Sequence, residues 1–366
     1  MKFDCQRSHL FDAVTLAHIA ASSRTPLAIL QNLRLEATGN QLIVLGCDGE
    51  MWVQRSVPCF VHEEGSVCLQ GRLLFDIVKS LPEGDCTLTV NAQGSALLQE
   101  GNSEYRMMAL SAEDFPPMPE TGSEATLTIP MQTFRSAVDS VAYAVATDSH
   151  RPVLTGVLMR YDGESLTMVA TDTHRLAHRR ISGEGWGAEV GAIVPEKALR
   201  AIAKMPIPDD QAVTIRFGDQ RLGVSADGAE MVCQLLPEPY PNWERVVPQE
   251  FTRTWTVEVD QLREKVNRVM IIARESANRV KFSGKANEVV VSSRSEEKGD
   301  AKEELPMIGT GGDLDIAFNG EYVRDAVKPI TGAGARIELT ESSRPAVIRS
   351  VDDDSYFCVI MPMALG

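Results

Sequence analysis

The segment Thr171-Asp172-Thr173-His174-Arg175 places a carboxylate and an imidazole two residues apart. Side chains of these types can hold a metal ion or activate a nucleophile, so a metal-dependent hydrolase centred on Asp172 and His174 is one hypothesis. A metal centre usually gathers further His, Asp or Glu ligands. None of the other histidines has a recognisable ligand spacing with Asp172, and no Walker loop, G-x-G-x-x-G or G-x-S-x-G motif occurs. The hydrolase is therefore kept as an alternative, and neither a metal nor a cofactor is predicted.

Asp172 also ends one copy of an internal repeat. Subtracting 124 from its number gives Asp48, and the strand-like runs 42–46 and 166–170, which precede the two aspartates, match at the same offset. A weaker copy follows at 289–293. The aspartate therefore belongs to a recurring piece of structure.

The first copy keeps the aspartate but has Glu50 where the second has His174. An aspartate in a turn commonly accepts hydrogen bonds from its own backbone. Asp48 and Asp172 are therefore predicted to shape a turn, which explains them without catalysis.

Two helices are predicted in each copy. In the first helix, apolar residues recur at the i, i+4, i+7 spacing of a helix with one buried face. In the second, Phe75, Leu199 and Val323 stand 124 residues apart, and a proline follows each segment because proline cannot continue a helix. The predicted helices cover residues 9–22, 71–82, 130–145, 195–206, 259–274 and 319–329.

Each copy also contains alternating, strand-like segments. The predicted fold class is therefore α+β, with three repeated domains that each pack two helices on antiparallel sheets. Segments rich in proline or polar residues are predicted to link the domains. The predicted domains are residues 1–122, 126–248 and 253–366.

The composition is that of a protein without a membrane segment. The N-terminus has no apolar stretch typical of a signal peptide, and no apolar run approaches the length of a membrane span. The seven cysteines are scattered, odd in number and never form a C-x-x-C pair, which favours free thiols in the cytoplasm. The net charge of −15 argues at first against a nucleic-acid partner.

Four features together resemble one family, the bacterial DNA sliding clamps, which are the beta subunits of DNA polymerase III. These features are the triplication, the segment 170–177, the pair Phe318-Asn319 and the ending Val359-Ile360-Met361-Pro362-Met363. The resemblance covers the whole chain and implies a head-to-tail homodimer that closes into a ring around duplex DNA. The implied partners are duplex DNA bound without sequence preference, the replicative polymerase, the clamp loader and other proteins with a clamp-binding motif.

The resemblance also implies three sets of site residues. A groove for partner peptides comprises Leu154, Thr171, Thr173, His174, Arg175, Leu176, Pro241, Arg245, Val246, Asn319, Tyr322, Ser343, Val359, Met361, Pro362 and Met363. The positions near DNA are Arg24, His150, Arg151, Lys197 and Arg200. The dimer interface comprises Tyr105, Met107, Ile271 and Ile272.

Three positions depart from the family pattern. Thr173 stands where glycine or another small residue is frequent, and Ala277 stands where some relatives have a large aromatic residue. The tail ends in Ala364-Leu365-Gly366 rather than in an Arg-Leu terminus. We expect these changes to affect the depth of the groove and its peptide preference.

The distribution of charge agrees with a DNA-encircling ring. The six predicted helices together carry +4, so the rest of the chain carries −19. In helix 195–206, Lys197, Arg200 and Lys204 fall on one stripe, whereas Leu199 and Ile202 belong to another face. A cationic lining inside an acidic body would favour sequence-independent contact with phosphates. A structural scaffold that never touches DNA is the third hypothesis.

Overall fold

The computed structural model describes residues 1–21, 27–147, 150–237 and 239–365. Within these residues each repeat contains two α-helices, as predicted. Their ends differ from the predicted ones by a few residues. The helices are α1 (Arg7–His18), α2 (Gly71–Ser80), α3 (Met131–Val141), α4 (Glu196–Ala203), α5 (Val259–Ala273) and α6 (Gly320–Val327).

The strands follow the same order in each repeat. The first repeat contains β1 (Lys2–Gln6), β2 (Asn32–Thr38), β3 (Gln41–Cys47), β4 (Met51–Pro58), β5 (Phe60–Glu63), β6 (Gly65–Gln70), β7 (Asp85–Val90), β8 (Ser95–Glu100) and β9 (Ser103–Leu110). The second contains β10 (Ala125–Pro130), β11 (Gly156–Tyr161), β12 (Ser165–Thr171), β13 (Arg175–Ser182), β14 (Glu184–Gly187), β15 (Val190–Pro195), β16 (Ala212–Phe217), β17 (Arg221–Ala226) and β18 (Ala229–Gln234). The third contains β19 (Arg253–Glu258), β20 (Arg279–Lys285), β21 (Glu288–Ser295), β22 (Gly299–Thr310), β23 (Leu314–Asn319), β24 (Gly334–Leu339), β25 (Ala346–Ser350) and β26 (Tyr356–Ile360).

The long strand β22 shows how the repeats correspond. Its first part pairs with β21 and its last part, from Met307 to Thr310, pairs with β19. In the first repeat these two pairings belong to separate strands, since β4 pairs with β3 and β5 pairs with β1. The second repeat divides the strand in the same way between β13 and β14.

The described residues form two compact units, and the middle repeat is divided between them. The first unit comprises Met1–Phe134 and Gly183–Leu235, and the second comprises Arg135–Ser182 and Leu236–Gly366. The division follows the sheets, because β18 pairs with β4 of the first repeat while β13 pairs with β26 of the third. Consecutive antiparallel strand pairs thus join residues of two repeats within each unit.

In the first unit the strand order is β14-β10-β16-β17-β18-β4-β3-β2-β6-β9-β8-β7-β1-β5. In the second unit the order from β11 onward is β11-β12-β13-β26-β25-β24-β19-β22-β21-β20-β23.

The predicted helix faces are buried against these sheets. In α5 the i, i+4, i+7 stripe of Leu262, Val266, Val269 and Ala273 is fully buried and packs with the strands of the third repeat. Burying one such aliphatic side chain contributes roughly 1.5–3 kcal/mol, so the stripe fixes the helix on its sheet. The opposite face of the helix carries exposed charged residues. No described helix has both the length and the apolar character needed to span a membrane.

Candidate functional site

The turn between β12 and β13 is built by Asp172. Its Oδ1 accepts hydrogen bonds from the backbone N–H groups of His174 and Arg175, both at 3.0 Å. Its Oδ2 accepts from Nε of Arg175 at 3.0 Å. Both carboxylate oxygens are therefore engaged in shaping the turn, as the sequence predicted.

Asp48 makes the same turn in the first repeat. Its Oδ1 accepts from the backbone N–H groups of Glu50 and Met51, at 3.0 and 2.8 Å. The residue after each aspartate has a positive φ, 99° at Gly49 and 77° at Thr173. This left-handed conformation favours glycine and strains a β-branched residue. The departure at Thr173 therefore has a measurable backbone consequence.

Arg175 joins the turn to helix α6. Its Nη1 donates to Oδ2 of Asp325 at 2.7 Å, and its Nη2 donates to the carbonyl oxygen of Tyr143 at 2.7 Å. The guanidinium carbon lies 4.3 Å from the ring centroid of Tyr322 and 5.2 Å from that of Tyr143. The side chain is only 11% exposed, and two carboxylates and two aromatic faces compensate its charge. Arg175 is thus a structural link rather than an exposed groove residue.

Tyr356 provides a second link, between β26 and helix α6. The hydroxyl of Tyr356 donates to the carbonyl oxygen of Ala326 at 2.7 Å and accepts from the hydroxyl of Tyr143 at 2.8 Å. Burial raises the pKa of both phenols, so both remain protonated donors at neutral pH. These bonds hold the start of β26 against α6.

The C-terminal segment runs beside the turn. In β13, Arg175 is paired with Ile360 and Leu176 with Val359. Beyond β26, the N–H of Met361 donates to the carbonyl oxygen of His174 at 2.9 Å, and that of Met363 donates to Ala317 at 2.7 Å. The turn, the chain end and helix α6 therefore form one surface of the second unit.

The sixteen residues of the predicted groove all belong to the second unit, but they differ in exposure. Leu154, Leu176 and Val359 are at most 3% exposed and are core residues in this structure. The exposed apolar surface comes mainly from Val246, 52% exposed, and Met361, 43% exposed. The half-buried members are Thr171, Arg175, Asn319, Tyr322, Pro362 and Met363, and the other exposed members are Thr173, His174, Pro241, Arg245 and Ser343.

Models of one family match this chain over nearly its whole length. The N-terminal, central and C-terminal domains of the DNA polymerase III beta subunit match residues 1–119, 128–242 and 244–364. The chain belongs to the DNA polymerase III beta subunit family, the sliding clamps. The predicted fold of three clamp domains and the predicted function of a processivity clamp are confirmed.

Individual members of the sliding-clamp family are similar over their full length. The beta sliding clamp of Staphylococcus epidermidis is 30% identical over 99% of both chains. The sliding clamp structure from Bacillus subtilis has a TM-score of 0.96 at 28% identity, and the beta subunit structure from Pseudomonas aeruginosa has the same two values. Both structures are covered completely, as is this chain.

The hydrolase alternative is not supported. The carboxylate of Asp172 is occupied by the turn and by Arg175, and His174 is an exposed turn residue. Within the described ranges, no group of three or more His, Cys, Asp or Glu side chains is arranged to hold a metal ion. Family membership in the sliding clamps explains the motif without such a centre.

The predicted DNA positions are only partly described. Arg24 lies outside the described residues, and His150 and Arg151 are exposed. Lys197 of α4 forms an ion pair with Asp48, and Arg200 forms one with Glu196 of the same helix. The buried face of α4, with Leu199 and Ile202, is the predicted one. Two of the predicted cations are therefore already paired within the first unit.

The predicted interface positions also separate by exposure. Ile271 is 70% exposed and Ile272 is half-buried on α5. On β9, Tyr105 is half-buried whereas Met107 is 5% exposed and packs in the core of the first unit. Its neighbour Met108, which sequence reasoning missed, is 82% exposed. Strand alternation separates the two methionines, but the sequence alone does not say which one faces the core.

Proposed function

We propose that two copies of this chain assemble head to tail into a closed ring that encircles duplex DNA and tethers the replicative polymerase to it. The observation that carries this proposal is a pair of open strand edges. In β9, residues 103–108 pair with β8 on one side, and the described pairing with β6 begins only at Ala109. In β22, residues 299–306 pair with β21 alone among the described strands.

Open edges of this kind favour pairing with a second chain. The β9 edge belongs to the first unit and the β22 edge to the second, so an interface between them is heterologous and can close a ring when the rotation fits. The exposed Ile271 and Met108 supply apolar surface for such an interface, with Tyr105 and Ile272 beside them. Met107 would support it from within the core.

Retention on DNA then depends on encirclement more than on affinity. A chain with net charge −15 gains little from long-range attraction to phosphates. Lys197 and Arg200 already have acidic partners, which weakens the contacts that they can offer. His150, Arg151 and Arg24 remain the further candidates for phosphate contacts, which would be independent of base sequence.

The surface around the turn 171–175 and the chain end 361–363 is proposed to receive short peptides from the polymerase, the clamp loader and other partners. Support comes from the exposed Val246 and Met361 at its margin. Methionine adapts its shape to different apolar groups, which suits a surface shared by several partners. A peptide anchored by one leucine-sized side chain gains roughly 1.5–3 kcal/mol from burial, so we expect weak, exchangeable binding of about micromolar strength.

We also infer that the chain has no enzymatic activity of its own and acts in the cytoplasm. The three domains are proposed to extend over residues 1–122, 126–248 and 253–366.

The ring is tested with closed and open DNA. The protein is loaded by a clamp loader on nicked circular DNA, unbound protein is removed by gel filtration, and half of the sample is cut once by a restriction enzyme. We expect the protein to remain on the circle and to leave the linear DNA. Equal retention on both templates would show ordinary DNA binding and refute encirclement.

The resemblance to the sliding clamps implies that partner peptides carry a glutamine and a short apolar end. The groove is tested separately by fluorescence polarisation with a labelled peptide of this kind. Deletion of residues 362–366 should abolish binding while the protein remains dimeric in sedimentation. Unchanged affinity after the deletion would place the peptide site elsewhere.

A further inference from the structure

A cavity of about 930 Å³ adjoins the proposed peptide groove in the second unit. It lies between the segment 245–253 and the loop 340–345. We call it the arginine pocket because Arg245, Arg253 and Arg344 line it. In a chain with net charge −15, this cavity has a local excess of positive charge, since three guanidiniums and two carboxylates line it.

The three arginines outnumber the two carboxylates that line the pocket. None of the three forms an ion pair within the described part of the chain, although Glu250 and Glu341 also line the pocket. By contrast, Arg268 and Arg336 of the same unit each have acidic partners. The pocket therefore offers guanidinium donors to an external carboxylate.

Arg253 is partly held in place. Its Nη1 donates to Oγ1 of Thr252 at 3.1 Å and to the carbonyl oxygen of Thr340. Its Nε is buried and has no hydrogen-bond partner among the described residues. Arg245 and Arg344 are exposed, so they can adjust to a bound chain.

The pocket is continuous with the groove. Val246 and Met361, which form the exposed apolar margin of the groove, also line the pocket, and so does Ser343. A peptide whose apolar end lies against Val246 and Met361 is within reach of the arginine pocket, because both residues also line it. An extended chain advances about 3.3 Å per residue, so a few residues suffice to reach the arginines.

We propose that the arginine pocket binds Asp or Glu side chains that directly follow the apolar end of a partner peptide. This proposal rests on the proposed groove and adds a specificity determinant to it. A guanidinium group can donate two parallel hydrogen bonds to a carboxylate. This pairing discriminates between partners that share the same apolar anchor. Partner segments with acidic residues at this position are favoured, and basic ones are excluded.

The test uses the full-length protein and two labelled peptides in fluorescence polarisation. Both carry a glutamine and the same apolar end, followed by Asp-Asp-Asp-amide in one peptide and Asn-Asn-Asn-amide in the other. At low salt we expect the Asp peptide to bind about fivefold more tightly, since each exposed ion pair contributes modestly. The gain should disappear at high salt because the pairs are screened.

Arg344→Gln should remove most of the gain and leave the Asn peptide unchanged. Arg294→Gln, which changes an exposed arginine outside the pocket, is the matched control and should behave like wild type. In Arg344→Glu, a Lys-Lys-Lys peptide should bind more tightly than in wild type, which reports on charge pairing rather than on folding.

Equal affinity of the Asp and Asn peptides for the wild type would overturn the proposal. So would an equal loss for both peptides in Arg344→Gln, because Arg344 would then support the groove itself. If inorganic phosphate or short duplex DNA removes the gain at an ionic strength where chloride does not, the pocket is a general anion site and the proposal is wrong. Failure of both peptides to bind the wild type would refute the groove, a result distinct from equal binding of the two.

Discussion

His178 lies among aromatic rings in the second unit. Its ring stacks on Phe357 with centroids 4.4 Å apart, and Trp243 lies 5.4 Å away. Burial, followed by the positive charges of Arg349 and Arg180, lowers the pKa of His178 from 6.5 to about 4. Its Nδ1 is buried without a hydrogen-bond partner in the described residues. The residue therefore acts as a neutral aromatic in the folded protein.

This pKa makes the stability of the fold dependent on pH. Above pH 6.5 the histidine is neutral in both states, whereas below it the unfolded chain binds a proton that the folded chain excludes until about pH 4. Stability is thus lost as pH falls across this window, by about 2 kcal/mol between pH 7.5 and pH 5. In urea titrations, His178→Phe should remove this loss, while the exposed-site control His174→Phe should keep it. An identical pH dependence in all three proteins would contradict the assignment.

Several single residues show which features of the candidate site could be predicted from the sequence. The role of Asp172 was predictable because Asp48 occupies the same place in the first repeat, where the histidine is absent. Gly49 likewise explains the strain at Thr173, because the equivalent residue of the first repeat is a glycine with a positive φ. Pairing between distant residues was not predictable, since Arg175 and Asp325 are 150 positions apart and nothing local marks them as partners. The burial of Leu154, Leu176 and Val359 also depends on tertiary packing, so apolar type alone could not separate core from groove.

At the scale of elements, the helices were predictable because burial imposes the 3.6-residue period three times over. The 3.6-residue hydrophobic pattern could not predict the side-chain link that holds the turn 171–175 against α6. That link is Arg175, which holds Asp172 on the turn and Asp325 on the helix and lies over the ring of Tyr322. Since Tyr322 and Asn319 stand at the start of α6, the link fixes one wall of the proposed groove.

Asp325→Ala should therefore weaken peptide binding although Asp325 is not a predicted peptide contact. We expect unfolding to cost about 1–2 kcal/mol less, because Arg175 keeps Asp172 but loses one of two charge-assisted partners. Peptide affinity in fluorescence polarisation should fall as well, and Arg324→Gln on the same helix should leave affinity unchanged. Reduced stability with unchanged peptide affinity would mean that the link serves the fold and not the groove.

At the scale of the whole molecule, the threefold repeat places an open strand edge in each unit. Each unit joins two repeats through continuous antiparallel pairing, by β4 with β18 and by β13 with β26. Residues 103–108 and 299–306 each pair on one side within the described strands, so the same kind of pairing can continue there into another copy. The repeat thus explains why this protein would assemble with itself and close.

Ile271→Asp tests this assembly. The side chain is 70% exposed in the single chain, so the substitution leaves the fold intact but buries an unpaired charge in the proposed interface. We expect sedimentation to show monomers where the wild type forms dimers, and we expect the variant to be lost from nicked circular DNA on which the wild type is retained. Val351→Asp, which changes another exposed apolar residue of the second unit, should preserve both properties. If Ile271→Asp remains dimeric and stays on the circle, the interface lies elsewhere; if it is monomeric yet retained on the circle, encirclement by a dimer is wrong, because a single three-domain chain would then suffice to hold DNA.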